Sequence, residues 1–419
     1  MHLFINGLAA SAGGGLTYIR NVIPHLAAVP DLQVTVALAP SLREEFRGFT
    51  KVKFVEMEVP AARRFWYEQS TLPGIIQRCR ADVLLSAGNF ALRRSPVPQI
   101  LLSRNSIYTS SDFYRDLLAR REYRMWLDTR LRGALAKRSI DWATVTVAPS
   151  EPFAAELRRW THAGVQGQAS ERAKNRVAKI PEDKIRVIHH GFDRDEFIRD
   201  STPLSAELEN KLKAAESSLK LLFVSHYNYY RNFETLFRAL PLLRDRCGRP
   251  VKLVLTCKLA AGENPGAYRT EAAAGLVREL GVSDMLIELG SVPYSQLHQL
   301  YRRADIYVTP AYTETFAHPL VEAMASGLPV VASDLPVHRE MCGDAAHYFP
   351  RFSAEALAER VAEVASSADL RKQLSTRGAE RAATFSWKKH VEELLVLAHS
   401  LVGPETVAPG TEVSGGEPA

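Results

Sequence analysis

The feature that most constrains this chain is an alternation of short apolar, strand-like runs with helical stretches that breaks off near residue 198 and restarts near 220. In the first half, 3–6, 33–38, 52–55, 83–86, 99–102, 144–148 and 185–188 read as strands. Helices are predicted at 15–29, 112–138 and 151–160, the last opening after Ser150 as its N-cap. Pro24 predicts a kink in the first of them. In the second half, strands are predicted at 221–225, 252–256, 285–289, 305–309 and 330–332. Between and after them come helices at 232–245, 267–280 and 294–303, a short one from Pro319, and three more at 353–366, 370–384 and 387–401. Such alternation implies a parallel sheet covered by helices on both faces, and its restart implies two of them. The 419 residues also exceed what one compact core organises.

The polar stretch 199–219 is the expected linker. It divides a first domain, 1–198, from a second, 220–386, and the tail 403–419 is expected to be disordered for want of apolar residues. Hydrophobic residues at 46% and charged residues at 24% exclude a fibrous or disordered chain. No apolar run approaches the ~20 residues that span a bilayer, and the first residues show no leader pattern, so a cytoplasmic location is expected. Cys79, Cys247, Cys257 and Cys342 lack metal or redox spacing and read as inert thiols. The net charge of +6 is partly local to Arg115, Arg120, Arg121, Arg124, Arg130, Arg132, Lys137 and Arg138. Interleaved apolar residues make that stretch an amphipathic helix: a solvated basic face, or one drawn to an anionic membrane at the inner face. No nucleic-acid-binding module accompanies the charge.

The most informative segment runs from Thr313 to Val331. A strand ends at Pro310, a loop follows, and a helix opens with Pro319 near its first turn and stops at Gly327. The loop therefore delivers a helix N-terminus at the carboxyl end of a parallel strand, where open α/β sheets bind ligands and free amides favour anions. Glu322, in the first turn, suits the two hydroxyls of a ribose. Taken alone, it equally complements the helix dipole.

Glu314 and Glu322, set within Glu-Thr-Phe-Ala-His-Pro-Leu-Val-Glu-Ala-Met-Ala-Ser-Gly-Leu-Pro-Val-Val, resemble the donor-site signature of retaining family-four glycosyltransferases. The resemblance implies the GT-B fold: two Rossmann-like domains facing a central cleft, with a final helix, 387–402, crossing back onto the first. It implies that Glu322 binds the nucleotide ribose, that Glu314 lies beside the transferred sugar, and that the backbone of Phe316 and Ala317 holds sugar hydroxyls. Ala317 stands where the family usually has glycine. The segment 224–232 resembles the strand-end loop that offers Arg and Lys to the donor diphosphate, which here places His226 and Arg231. Arg carries permanent charge and a bidentate fork, so Arg231 is the better phosphate ligand, while His226 contributes charge only if protonated. Gly13-Gly14-Gly15 resembles the glycine-rich loop near the donor phosphates, with Gly14 and Gly15 closest. Where the family often has a first-domain His, this chain has Ser103-Arg104-Asn105; Arg104 and Asn105 are expected on the acceptor side without a catalytic role. Asp193-Arg194-Asp195 reads as a structural turn and not as a metal site.

The expected protein is thus a retaining glycosyltransferase that needs neither metal nor cofactor, acting on a nucleotide-diphosphate sugar and a glycan or lipid-linked acceptor. The alternative is a degenerate relative that binds a nucleotide sugar or a partner without catalysis, which His226, Ala317 and the missing His would suit.

Overall fold

The computed structural model describes residues 1–10, 13–60, 62–162, 184–264 and 268–403. Two parallel sheets organise it. The first holds β1 (His2–Asn6), β2 (Gln33–Leu38), β3 (Val52–Glu56), β4 (Val83–Ser86), β5 (Gln99–Leu102), β6 (Val145–Ala148) and β7 (Ile185–Val187), in the order β3-β2-β1-β4-β5-β6-β7. The second holds β8 (Leu219–Phe223), β9 (Val251–Leu255), β10 (Leu286–Glu288), β11 (Ile306–Thr309), β12 (Val330–Ser333) and β13 (Ala346–Phe349), in the order β10-β9-β8-β11-β12-β13. Apolar strands such as Val83-Leu84-Leu85-Ser86 are buried along their whole length, as sheets covered on both faces require. In each sheet the strand order reverses beside its first strand in sequence, between β1 and β4 and between β8 and β11. Crevices at such reversals are where these sheets accept ligands.

Three expectations need correction. The single helix expected over 112–138 is two, Ser111–Ala119 and Tyr123–Trp142, broken where Arg121 takes a left-handed conformation with φ of 58°. The linker stretch contains a helix, Ala206–Lys213, capped by Ser205 and anchored by Leu212 in the second domain's core. The glycine run is no loop: Gly13 opens the helix Gly13–Ala27, which includes Pro24. The helices Arg64–Ser70, Leu72–Arg78 and Pro336–Cys342 and strand β13 escaped the sequence reading, being short and weakly periodic. The expected tail, apart from Gly403, lies outside the described residues. Cys257 and Cys342 are buried free thiols pushed up to about 12, chiefly by burial, which agrees with inert roles.

The halves interlock in two places. The helix Trp387–Val402 leaves the second domain and packs on the helix Gly13–Ala27, placing Trp387, Val391 and Leu394 in the first domain's core. Conversely, Phe113 and Leu117 of the helix Ser111–Ala119 are wholly buried in the core built on β8, β9 and β11. Around them Arg120 reaches Asp116 at 2.7 Å and Glu234 at 2.9 Å, and Glu122 accepts from Tyr229 at 2.9 Å. Truncating Phe113 leaves a void that neither half can fill alone. Phe113→Ala is expected to cost about 3–5 kcal/mol in a denaturant titration; a loss below 1 kcal/mol contradicts this packing.

Candidate active site

The carboxyl ends of β1, β4, β5, β8 and β11 open onto a cleft of about 820 Å³ between the two halves. Of the residues expected at a site, Gly14, Gly15, Arg104, Asn105, His226, Arg231, Glu314, Ala317 and Glu322 all line it. Phe316 does not. Its ring is buried against His318 and Phe385, so only its backbone can take the expected part.

Arg231 arrives through a local device. After β8 the chain makes a short 3₁₀ turn, Tyr229–Arg231, in which the Asn228 side chain accepts from the Arg231 amide at 3.1 Å. Asn232 then turns left-handed, and its side chain donates to the Pro310 carbonyl at 3.0 Å, tying this loop to the one after β11. The result is an ion pair between Arg231 and Glu314, both largely shielded from water. His226, from the same loop, is exposed at the cleft, and partial desolvation followed by the nearby Arg231 charge lowers its pKa. It is therefore a neutral hydrogen-bonding group near neutral pH, with no permanent charge to offer.

The loop after β11 is held from both domains. Tyr312 donates its amide to the Tyr230 carbonyl at 3.0 Å and its hydroxyl to Asp116 at 2.8 Å. Ser150 of the first domain donates to the Thr315 carbonyl at 2.7 Å. Among the described residues, the amides of Thr315, Phe316, Ala317 and His318 reach no protein acceptor. They form a row of donors at the mouth of the helix His318–Ala325. Ala317, its N-cap, sits at φ 63°, ψ 60°, the left-handed region in which an alanine is strained by about 1–2 kcal/mol. That conformation explains the family's glycine. Here the strain is borne, and the added methyl is buried in the second domain's core.

Glu322 lies deeper, 4% exposed, accepting from the Tyr301 hydroxyl at 2.8 Å. Burial raises its pKa to about 7, and the hydrogen bonds from Tyr301 and Tyr294 only partly offset this. Asp193, in the suspected false metal motif, instead caps the helix Arg194–Phe197 by accepting from the Glu196 amide at 3.1 Å.

Sequence reasoning missed a cluster of histidines on the cleft floor. His190 and His318 line it with ring centroids 5.2 Å apart, and His318 stacks on Trp387 at 6.0 Å. Burial pushes His318 down to about 3 and His190 well below its ordinary range, so both are neutral. Their residue type was the only signal, because nothing local in the sequence brings 190, 318 and 387 together.

With this geometry in place, comparison with known proteins is informative. Residues 205–381 match the sequence model of the family described as glycosyl transferases group 1. The second half of the chain is a group 1 glycosyltransferase domain. An uncharacterized glycosyltransferase of Methanocaldococcus jannaschii is 34% identical over 170 residues, covering 40% of this chain and 41% of that protein. A D-inositol 3-phosphate glycosyltransferase of Nocardia farcinica is 29% identical over 238 residues, covering 53% of this chain and 52% of that one. The chain thus spans about half the length of the curated relatives it matches. In structure, sucrose-phosphate synthase from Thermosynechococcus elongatus superposes with a TM-score of 0.70 at 18% identity, covering 96% of this chain and 99% of that one. HepE of Anabaena, in complex with UDP-glucose, superposes with a TM-score of 0.68 at 14% identity, covering 96% and 100%. At these identities the superpositions establish the fold: GT-B, with two Rossmann-like domains.

Glu322 supplies a test that is independent of activity. A carboxyl whose folded pKa is raised holds its proton in the native state after the unfolded chain has lost it. Stability therefore falls as pH rises from about 4.5 to about 7, and the loss persists above that. The raised value corresponds to a cost on the order of 3 kcal/mol at pH 8. Glu322→Gln is expected to be more stable than wild type at pH 8, with the difference shrinking toward pH 5. A thermal-denaturation series that shows a pH-independent difference refutes the assignment.

Proposed function

We propose that the chain is a retaining, metal-independent glycosyltransferase that moves a sugar from a nucleotide-diphosphate donor to a glycan or lipid-linked acceptor. The observation that carries this reading is the joint placement of Glu322, the row of free amides, and the Glu314–Arg231 pair on one wall of the interdomain cleft. The group 1 domain and the fold shared with a UDP-glucose-bound neighbour support it.

In this reading Glu322 accepts from the ribose hydroxyls and Arg231 faces the diphosphate. Glu314 and the amides of Phe316 and Ala317 hold the transferred sugar. The bond from the anomeric carbon to the diphosphate oxygen breaks, and the acceptor oxygen bonds to that carbon from the same face. The acceptor's proton passes to the departing phosphate. Arg231 and the amides offset the charge that develops there, a role that fixed donors fill without reorganising. Because Arg231 neutralises it, Glu314 is poorly suited to attack as a nucleophile, which favours front-face transfer and retained configuration. Gly14 and Gly15, at the opposite wall, let the first domain's backbone approach the phosphates.

Activity is tested by thermal shift and turnover with UDP-, GDP-, ADP- and dTDP-sugars. Glu322→Ala is expected to weaken donor binding, and Glu314→Ala to lower kcat by roughly 10²–10³-fold with a smaller change in KM. Wild-type kinetics in both variants, or a product with inverted configuration, refutes the mechanism. A wild-type protein that protects a nucleotide sugar without ever hydrolysing or transferring it is a binder instead.

A peripheral membrane contact belongs to the same reading. No helix among the described residues is long and apolar enough to cross a membrane. Yet Tyr123, Leu127 and Leu131, spaced four apart on one helix, are 62%, 55% and 64% exposed, and Arg121, Arg124, Arg130 and Arg138 beside them face solvent. An apolar ridge flanked by cations suits an anionic lipid surface, each basic residue contributing about 1 kcal/mol. The protein is expected to float with vesicles containing phosphatidylglycerol, less with phosphatidylcholine alone, and Leu127→Glu with Leu131→Glu is expected to abolish flotation. Equal flotation of variant and wild type removes this face from consideration.

A further inference from the structure

Among the described residues, the first-domain wall of the cleft carries four guanidinium groups, Arg20, Arg64, Arg104 and Arg132, and no carboxylate from that domain lines it. Two of the four are answered nearby: Arg20 by Glu45 in a two-bond fork at 2.7 Å, and Arg132 by Asp128 at 2.8 Å. Arg64 is not fully answered. Its partner Glu68 lies 3.7 Å away, and burial raises that carboxyl to about 7, so near neutrality much of it is uncharged.

Arg104 is the extreme case. Among the described residues it pairs with no carboxylate. Its two terminal nitrogens donate to the backbone carbonyls of Gly14, at 2.7 Å, and Ala87, while its Nε–H is buried without a partner. The guanidinium lies 5.0 Å over the Tyr18 ring, and burial lowers its pKa to about 10. A partly buried cation met only by neutral oxygens is a standing cost unless an anion arrives. Two further unpartnered atoms belong to the same patch, His190 Nδ1 and His318 Nε2, with His190 only 5% exposed and its ring 5.5 Å from Tyr18. His390, by contrast, is engaged at both nitrogens, by Tyr18 at 3.0 Å and by the His189 carbonyl at 2.8 Å. The open atoms therefore single out the cleft-facing members of the cluster.

The patch adjoins Ala317, where the transferred sugar is assigned, and not the deep end that holds Glu322. The diphosphate already has Arg231 on the facing wall. We propose that this wall is an oxyanion subsite, and that one of the two sugars joined, donor or acceptor, carries a phosphate or carboxylate group that Arg104 receives. The inference rests on the glycosyltransferase reading for where the sugars sit, while Arg104's lack of a partner stands without it. Arg104 is then a specificity residue. Its remaining N–H groups and full charge meet an acidic oxygen, and the neutral imidazoles of His190 and His318 present nitrogens to the surrounding hydroxyls.

The test measures binding by calorimetry for wild type, Arg104→Gln, Arg104→Lys and Arg231→Gln. The acceptor arm compares glucose, glucuronate and glucose 6-phosphate, with and without UDP. The donor arm compares UDP-glucose with UDP-glucuronate, and UDP alone is the reference. In wild type one acidic probe is expected to bind roughly 10- to 100-fold tighter than its neutral counterpart. The arm in which this appears tells which sugar bears the acid, and the probe tells whether it is phosphate or carboxylate. Arg104→Gln is expected to erase the preference while binding UDP within about 3-fold of wild type, and Arg104→Lys to retain part of it. Equal binding of acidic and neutral probes in wild type overturns the subsite. So does an Arg104→Gln variant that loses UDP as strongly as the acidic sugar, which assigns Arg104 to the diphosphate. If UDP binds and acidic probes show no advantage, the subsite fails and the transferase reading stands. If acidic probes depend on Arg104 while UDP and its sugars never bind, the subsite stands and the nucleotide-sugar reading fails.

Discussion

The architecture depends on a point where there is no room for a side chain. A Cβ placed on Gly191 would lie 2.0 Å from the Trp387 nitrogen and 2.3 Å from the Ser386 carbonyl carbon. Here the chain returning from the second domain runs directly against the turn that closes the first. The contact is fastened by His390, whose Nδ1 engages the His189 carbonyl and whose Nε2 engages Tyr18. From this crossing, Trp387 extends onto His318 at the head of the helix that carries Glu322. One backbone contact thus brings the first domain's core, the crossing helix and the loop before the helix His318–Ala325 together.

That constraint shows where sequence reading succeeds and where it cannot reach. The strand–helix alternation was legible because each strand's burial is a local property of an apolar run, and twelve of the thirteen strands fall where the pattern put them. The exception, β13, has Ala346 and Phe349 buried but His347 and Tyr348 half-exposed, so its four residues carry little strand signal. Glu314, Arg231 and Glu322 were legible because they lie in continuous motifs. The need for Gly191 was not legible: its reason, a backbone almost 200 positions further on, leaves no local trace. The break at Arg121 was hidden for a related cause. Its flanks share one helical periodicity, and only the docking of Phe113 and Leu117 into the other domain, followed by Glu122 reaching Tyr229, makes the chain turn there.

Glu322 carries a cost to stability within one side chain. A carboxyl buried beside Tyr301 and Tyr294 is worse for folding than an amide of the same shape would be, because burial disfavours its charge. The arrangement makes sense when a ligand supplies the missing donors. Two adjacent hydroxyls arriving together would replace lost water and favour the ionised form, so ligand binding and proton release are linked at this residue. Ala317 belongs to the same pattern: strain held in a left-handed N-cap keeps the preceding amides pointing outward, and the rest of the domain sustains it.

The charges between the halves extend this argument from single residues to the whole cleft. Asp116 receives both Arg120 and the Tyr312 hydroxyl, and Arg120 also reaches Glu234. Tyr312 lies on the loop that bears Glu314, so the first domain's helix Ser111–Ala119 holds that loop directly. Because both ends of this network are largely buried, separating the domains would strip Glu234 of Arg120 and Asp116 of the Tyr312 hydroxyl, a cost of several kcal/mol if uncompensated by water. The Arg-rich wall differs: there Arg104 lines the cleft with no carboxylate partner among the described residues, and Arg64 has only a distant one. Paired charges thus join the domains where they meet, while the least-answered cations, Arg104 and Arg64, line the cleft.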